Sequence, residues 1–154
     1  MVPAKAGGVN LVHCHRNYNW TAFMQVGDEF IWGVPVGDVI TETNPGTAAR
    51  TKTLTVPTGV VVEAMIAMTD NEGATGSNHY VLVTPLAIVD TTPSASAFTY
   101  FTAWVGGNGQ QFNATWRVLT NTSAQMRVRA SQSAAGDVFS LVTHGWIDTR
   151  GRYS

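Results

Sequence analysis

Residues 50 to 69, RTKTLTVPTGVVVEAMIAMT, decide the fold class. Leu54 and Val56 close one apolar stretch, Pro57-Thr58-Gly59 supplies turn chemistry, and Val60-Val61-Val62 opens the next. The segment reads as a β-hairpin or a tight β-corner. In its second arm Val60, Val62, Ala64, Ile66 and Met68 share one face at the strand period of two, and Val61, Glu63, Met65 and Ala67 share the other. The first face is wholly apolar and is expected to meet the core.

The same signals recur outward in both directions. Strands are expected at Val9–His15, Trp20–Val26, Phe30–Val36, His79–Val89, Ala97–Val105, Phe112–Thr120, Gln125–Ser131 and Val138–Ile147, about ten short ones with the two arms counted. In Gln125–Ser131, Met126, Val128 and Ala130 alternate with Arg127 and Arg129, as in a strand with one wet face. Two polar loops, Asp70–Asn78 and Gly106–Gln111, are expected at the tips of the domain. Many short strands without a helical period argue for an all-β fold of two packed sheets or a closed barrel. The expected architecture is an antiparallel β-sandwich, jelly-roll-like, with an immunoglobulin-like sandwich as the alternative. The expected organisation is a flexible N-terminal arm at 1–8, one domain at 9–148 and a C-terminal tail at 149–154.

Composition narrows the function. Of 154 residues 44% are hydrophobic, but only 12% are charged, about half the usual quarter. Thr, Ser, Asn, Gln and Gly must therefore build much of the surface. A net charge of −1 offers no clustered cations for phosphate, so nucleic acid is not an expected partner. A weakly charged exterior with five Trp suits a protein whose surface is partly covered by others. The single cysteine, Cys14, excludes an intrachain disulfide and a multi-thiolate zinc site. The start of the chain, Met-Val-Pro-Ala-Lys-Ala-Gly-Gly, has neither a signal-peptide apolar region nor a membrane-length apolar run. Synthesis in the cytoplasm and no membrane contact are the expectations.

The most reactive-looking motif is His13-Cys14-His15, in which two imidazoles would point the same way from one strand, as in half of a cupin metal site. The acid that cupins place just beyond is replaced by Arg16-Asn17-Tyr18-Asn19-Trp20, and a third ligand would have to come from His79 or His144. Histidines at a polar edge or interface are the expected reading, with no metal and no cofactor. There is no Gly-x-Ser-x-Gly elbow, and no pair of acids is marked out for glycoside hydrolysis, so an enzyme is not expected. Around Trp104 the run Phe98-Thr99-Tyr100-Phe101-Thr102-Ala103-Trp104 carries aromatics on both faces. One face, with Tyr100 and Trp104 as candidates, is expected to meet a neighbouring subunit.

The C-terminal third reads Asn121-Thr122-Ser123-Ala124-Gln125-Met126-Arg127-Val128-Arg129, then Val138 to Thr143, then His144-Gly145-Trp146-Ile147-Asp148-Thr149-Arg150-Gly151-Arg152. It resembles the ending of small jelly-roll virion proteins of tailed bacteriophages, over about 35 residues. The resemblance brings no catalytic residues. It implies a virion structural protein that decorates or cements the capsid or forms part of the tail. Its partners would be further copies of itself, such as a trimer, and major capsid or tail proteins. Arg127, Arg129, Arg150 and Arg152 are the charged candidates for those contacts. The alternatives are a carbohydrate- or receptor-binding module of a phage fibre and a cupin-like metalloenzyme.

Overall fold

The computed structural model describes residues 10–16, 19–73, 78–97, 101–106 and 109–150, with side chains described for 22–73, 79–97 and 109–150. The strands in these residues are β1 (Asn10–Arg16), β2 (Asn19–Val26), β3 (Glu29–Thr43), β4 (Arg50–Thr53), β5 (Glu63–Asn71), β6 (Asn78–Pro85), β7 (Phe101–Gly106), β8 (Gln111–Leu119), β9 (Gln125–Ala130) and β10 (Val138–Ile147). They form two antiparallel sheets, one ordered β1-β2-β3-β10-β5-β8 and the other β4-β9-β6-β7. The protein is an all-β sandwich.

The pairings nest. β3 pairs with β10, β4 with β9, β5 with β8 and β6 with β7, so the second half of the chain returns along the first as one antiparallel ribbon. Successive ribbon pairs fall alternately in the larger and the smaller sheet. Two further pairings, β10 with β5 and β9 with β6, join the laps of the wound ribbon into continuous sheets.

The deciding stretch forms the corner and not the hairpin: β4 and β5 lie in different sheets, and residues 54–62 cross between them. The expected core face survives this change, since Val62, Ala64, Ile66 and Met68 are all buried. Strand β5 starts only at Glu63, because the valines before it belong to the crossing. Strand β3 runs on past Val36 to Thr43, carrying Pro35 where its pairing to β2, which spans Glu29 to Trp32, has already ended. There the missing N–H of Pro35 disturbs no ladder on that side.

The core joins Ile66, Met68, Phe139 and Leu141 of the larger sheet to Val81, Val83, Met126 and Val128 of the smaller one. At one end sits an aromatic cluster. Trp146 stacks on Phe30 with ring centres 5.0 Å apart and planes 2° from parallel, and it meets Phe23 and Trp32 at 5.5 and 5.0 Å. Trp32 donates its indole N–H to the Thr55 carbonyl, which ties this cluster to the β4–β5 crossing.

Gly145, beside Trp146, lies at a register shift of β10 against both neighbours. A Cβ there would overlap the backbone of Phe30 and Ile31. The Gly-Trp pair of the C-terminal motif is thus a packing device: the glycine lets β3 approach closely, and the tryptophan fills the space beyond. Gly145→Ala is expected to lower stability by about 3 kcal/mol, at the upper end of overpacking costs. Urea unfolding of the two chains checks this, and an unchanged midpoint would contradict it.

Candidate functional site

Described residues of four connections, 44–49, 72–73, 109–110 and 131–137, meet at one end of the sandwich. Asp137, fully buried, is their hub. Its Oδ1 accepts from the Gly73 N–H at 3.0 Å, its Oδ2 from the Ala134 N–H at 2.6 Å, and its carbonyl from the Asn44 N–H at 3.0 Å. Glu72 joins in, its side chain accepting from Gln132 Nε2 and its backbone bonding to Gln110 and Gly109. Gly73 and Gly136 touch backbone to backbone: a Cβ on Gly73 would overlap Gly136, and Gly136 holds a φ of +99° that side chains rarely adopt. The Asp137 carboxylate satisfies backbone N–H groups that the loops leave over.

Next to this hub lie Asp70, the penultimate residue of β5, and His79, the second residue of β6, both fully buried. His79 Nε2 stands 3.7 Å from Asp70 Oδ2, beyond hydrogen-bond reach. Among the described residues no hydrogen bond reaches either Asp70 oxygen or either His79 ring nitrogen. Burial pushes the Asp70 carboxyl up to about 6, against the pull of His79 and with the added repulsion of Asp137 and Glu72. Among the described residues no group of three His, Cys, Asp or Glu is placed to hold a metal.

A second charge cluster, half-buried, spans the two sheets. Glu42 of β3 takes Arg50 and Lys52 of β4, each at 2.7 Å, and Arg50 lies over the Phe139 ring at 5.6 Å. Burial raises Glu42, but the hydrogen bonds from Lys52 and Arg50 outweigh it and hold the carboxylate below its usual range. Asp38 of the same strand accepts from Thr55 Oγ1 at 2.6 Å and from Thr143 Oγ1.

The arginines expected on a wet face of β9 are covered. Arg127 donates to the carbonyls of Ile88, at 2.7 Å, and Leu86, at 3.4 Å, and Arg129 donates to Asp90 Oδ2 at 2.7 Å and to the Thr47 carbonyl at 3.2 Å. Their side chains retain only 17% and 23% exposure, which decides that they hold the 86–90 segment against the sheet. Leu82 and Thr84, their cross-strand neighbours, are buried on the same face. The alternation placed the arginines on the right face. It carried no sign of the connection that covers them.

Arg150 chelates Asp148 through its guanidinium, and the Asp148 N–H donates to the Asp28 carbonyl, which seals β10 to the β2–β3 turn. Asp148 is held below its usual value by the Arg150 side chain. Trp104 stands on β7 opposite Tyr80, with its side chain outside the described ones, and Tyr100 and Arg152 lie outside the described residues. His13 and His15 pair with Ala22 and Trp20 on β1, and their side chains too are outside the described ones. In the larger sheet β2 and β3 lie between β1 and the strand of His144, and His79 belongs to the smaller sheet.

A shallow concavity of about 650 Å³ opens beside edge strand β8, lined by Glu63, Met65, Ile66, Thr115, Trp116, Arg117 and His144. Sequence reading missed it, because its residues come from three strands that are adjacent only in the sheet. No family model and no curated sequence matches the chain.

Two outcomes follow for the polar groups. A carboxyl raised on folding contributes stability at low pH that is lost as pH rises, here between about 4 and 6 for Asp70. Asp70→Asn removes that loss, so the variant is expected to gain on the parent by roughly 1–3 kcal/mol as pH climbs through this window. Denaturant melts of both chains at pH 4.5 and 7.5 read the gap, and a gap independent of pH would contradict the assignment. Arg127→Ala is expected to cost about 2 kcal/mol, the scale of a charged hydrogen bond. It should also speed amide exchange in residues 86–90, and unchanged exchange there would contradict the clamp.

Proposed function

We propose that the protein is a bacteriophage virion structural component that works by protein–protein contact, decorating or cementing the capsid or forming part of the tail. The observation that carries the reading is the nested ribbon of β3 to β10. Eight strands in the orders β3-β10-β5-β8 and β4-β9-β6-β7 are what winding such a ribbon into two sheets produces. This supports a jelly roll over an immunoglobulin-like sandwich, with β1 and β2 as an added hairpin on the larger sheet. Double-sheet jelly rolls recur in viral capsid domains, lectins and cupins. Within that group the C-terminal resemblance to tailed-phage proteins and the low-charge exterior favour the virion. Val34, Ile40 and Val89, each more than 70% exposed, add apolar surface suited to partners.

A carbohydrate- or receptor-binding module is the second reading. The concavity beside Trp116 favours it, since Thr115, Glu63, Arg117 and His144 offer polar contacts around a partly apolar floor. Fold alone does not separate the two.

Purified particles of a phage encoding this chain test the proposal. Quantitative mass spectrometry is expected to find the protein in a fixed ratio to the major capsid or tail protein, compatible with particle symmetry. Particles lacking it while the infected cell contains it would overturn the reading. Glycan binding lost on Trp116→Ala, without a virion ratio, would shift the conclusion to the second.

A further inference from the structure

Sheet edges attract other strands, and stable proteins blunt them by shortness, charge, proline or bulges. Edge strand β4 follows the rule. It is four residues long and turns Arg50 and Lys52 inward onto Glu42. Edge strand β8 does not. It runs nine residues, Gln-Phe-Asn-Ala-Thr-Trp-Arg-Val-Leu, with neither proline nor glycine, and pairs with β5 in unbroken register from Glu63↔Leu119 to Asn71↔Gln111. Its one charge, Arg117, reaches back across the outer face to Glu29 of β3 at 3.2 Å, away from the free edge. Among the described residues nothing pairs with the far side of β8.

We infer that β8 is a homodimer edge, at which two copies of this chain pair their β8 strands antiparallel about a two-fold axis through Thr115. This stands independently of any role in a virion. Thr115 is the middle of the strand, so this register alone pairs all nine residues. It is also self-complementary. On the inner side Trp116 of one copy meets Ala114 of the other, and Phe112 meets Val118, setting large against small at each place. Phe112 and Trp116, stacked on each other at 5.9 Å and half-buried in one copy, gain further cover from the second. On the outer side Thr115 faces Thr115, Arg117 faces Asn113 and Leu119, 48% exposed, faces Gln111, with the two arginines well apart. The concavity lined by Thr115, Trp116 and Arg117 opens along the same edge and adds surface for the second copy. An isologous contact of this kind uses the β8 edge of both copies at once and closes at two.

The test uses the full chain. Light scattering after size exclusion is expected to give twice the 16.5 kDa chain mass for the parent, and the single-chain mass for Thr115→Lys with an unchanged melting curve. In a Cys14→Ser background, Thr115→Cys is expected to oxidise to a disulfide dimer nearly completely, while Thr51→Cys on the exposed side of edge strand β4 gives only traces. A monomeric parent overturns the inference. So does a Thr115→Cys chain that cross-links no better than Thr51→Cys, which would place any dimer contact elsewhere.

Discussion

The structure depends on where its last strand goes. β10 lies between β3 and β5, bonded to both, so the larger sheet is not continuous until the C-terminal segment arrives. That insertion sets two steric conditions. The backbone at position 145 must come closer to Phe30 than any side chain permits, and the space past it must be filled by a ring stacked on Phe30. Gly145 and Trp146 meet them in adjacent positions. The ladder to β5 then carries Phe139 and Leu141 into the core against Ile66 and Met68. A wrap closed by its final strand makes most contacts between residues far apart in sequence, which slows folding relative to local topologies.

The polar residues divide the remaining work. Asp137 and Glu72 tie together the connections at one end, Glu42 binds β3 to β4 through two cations, and Arg127 and Arg129 hold a long connection on the smaller sheet. With so few charges in the chain, nearly every one named here has a structural partner. This explains how a 12% charged protein keeps irregular connections ordered, and why its surface is left to hydroxyls, amides and apolar side chains. Asp70 differs in that burial works against its charge and His79 stands too far to hydrogen-bond it.

Much of the fold was legible as alternation. The core face of β5, the whole span of β10 and the parity of β9 follow from a period of two in long runs, where an error of one residue would turn every apolar side chain outward. What alternation does not encode is which strand lies beside which. The turn chemistry of Pro57-Thr58-Gly59 is common to a hairpin and a corner, and only packing between sheets makes it a crossing. The candidate surfaces were less legible for the same reason. Arg127 and Arg129 look solvated until the 86–90 segment is laid over them, and the concavity at Trp116 exists only once β5, β8 and β10 are neighbours.

The corner, the aromatic cluster, the edge position of β8 and the proposed kinship with wound capsid folds all follow from the order of the strands. Cross-strand nuclear Overhauser contacts in the isotope-labelled chain read that order directly. The expected result places Val142 beside both Gly37 and Ala67, and Val128 beside both Arg50 and Val83. Contacts joining β4 to β5 as a hairpin, with β10 at an edge, would contradict it.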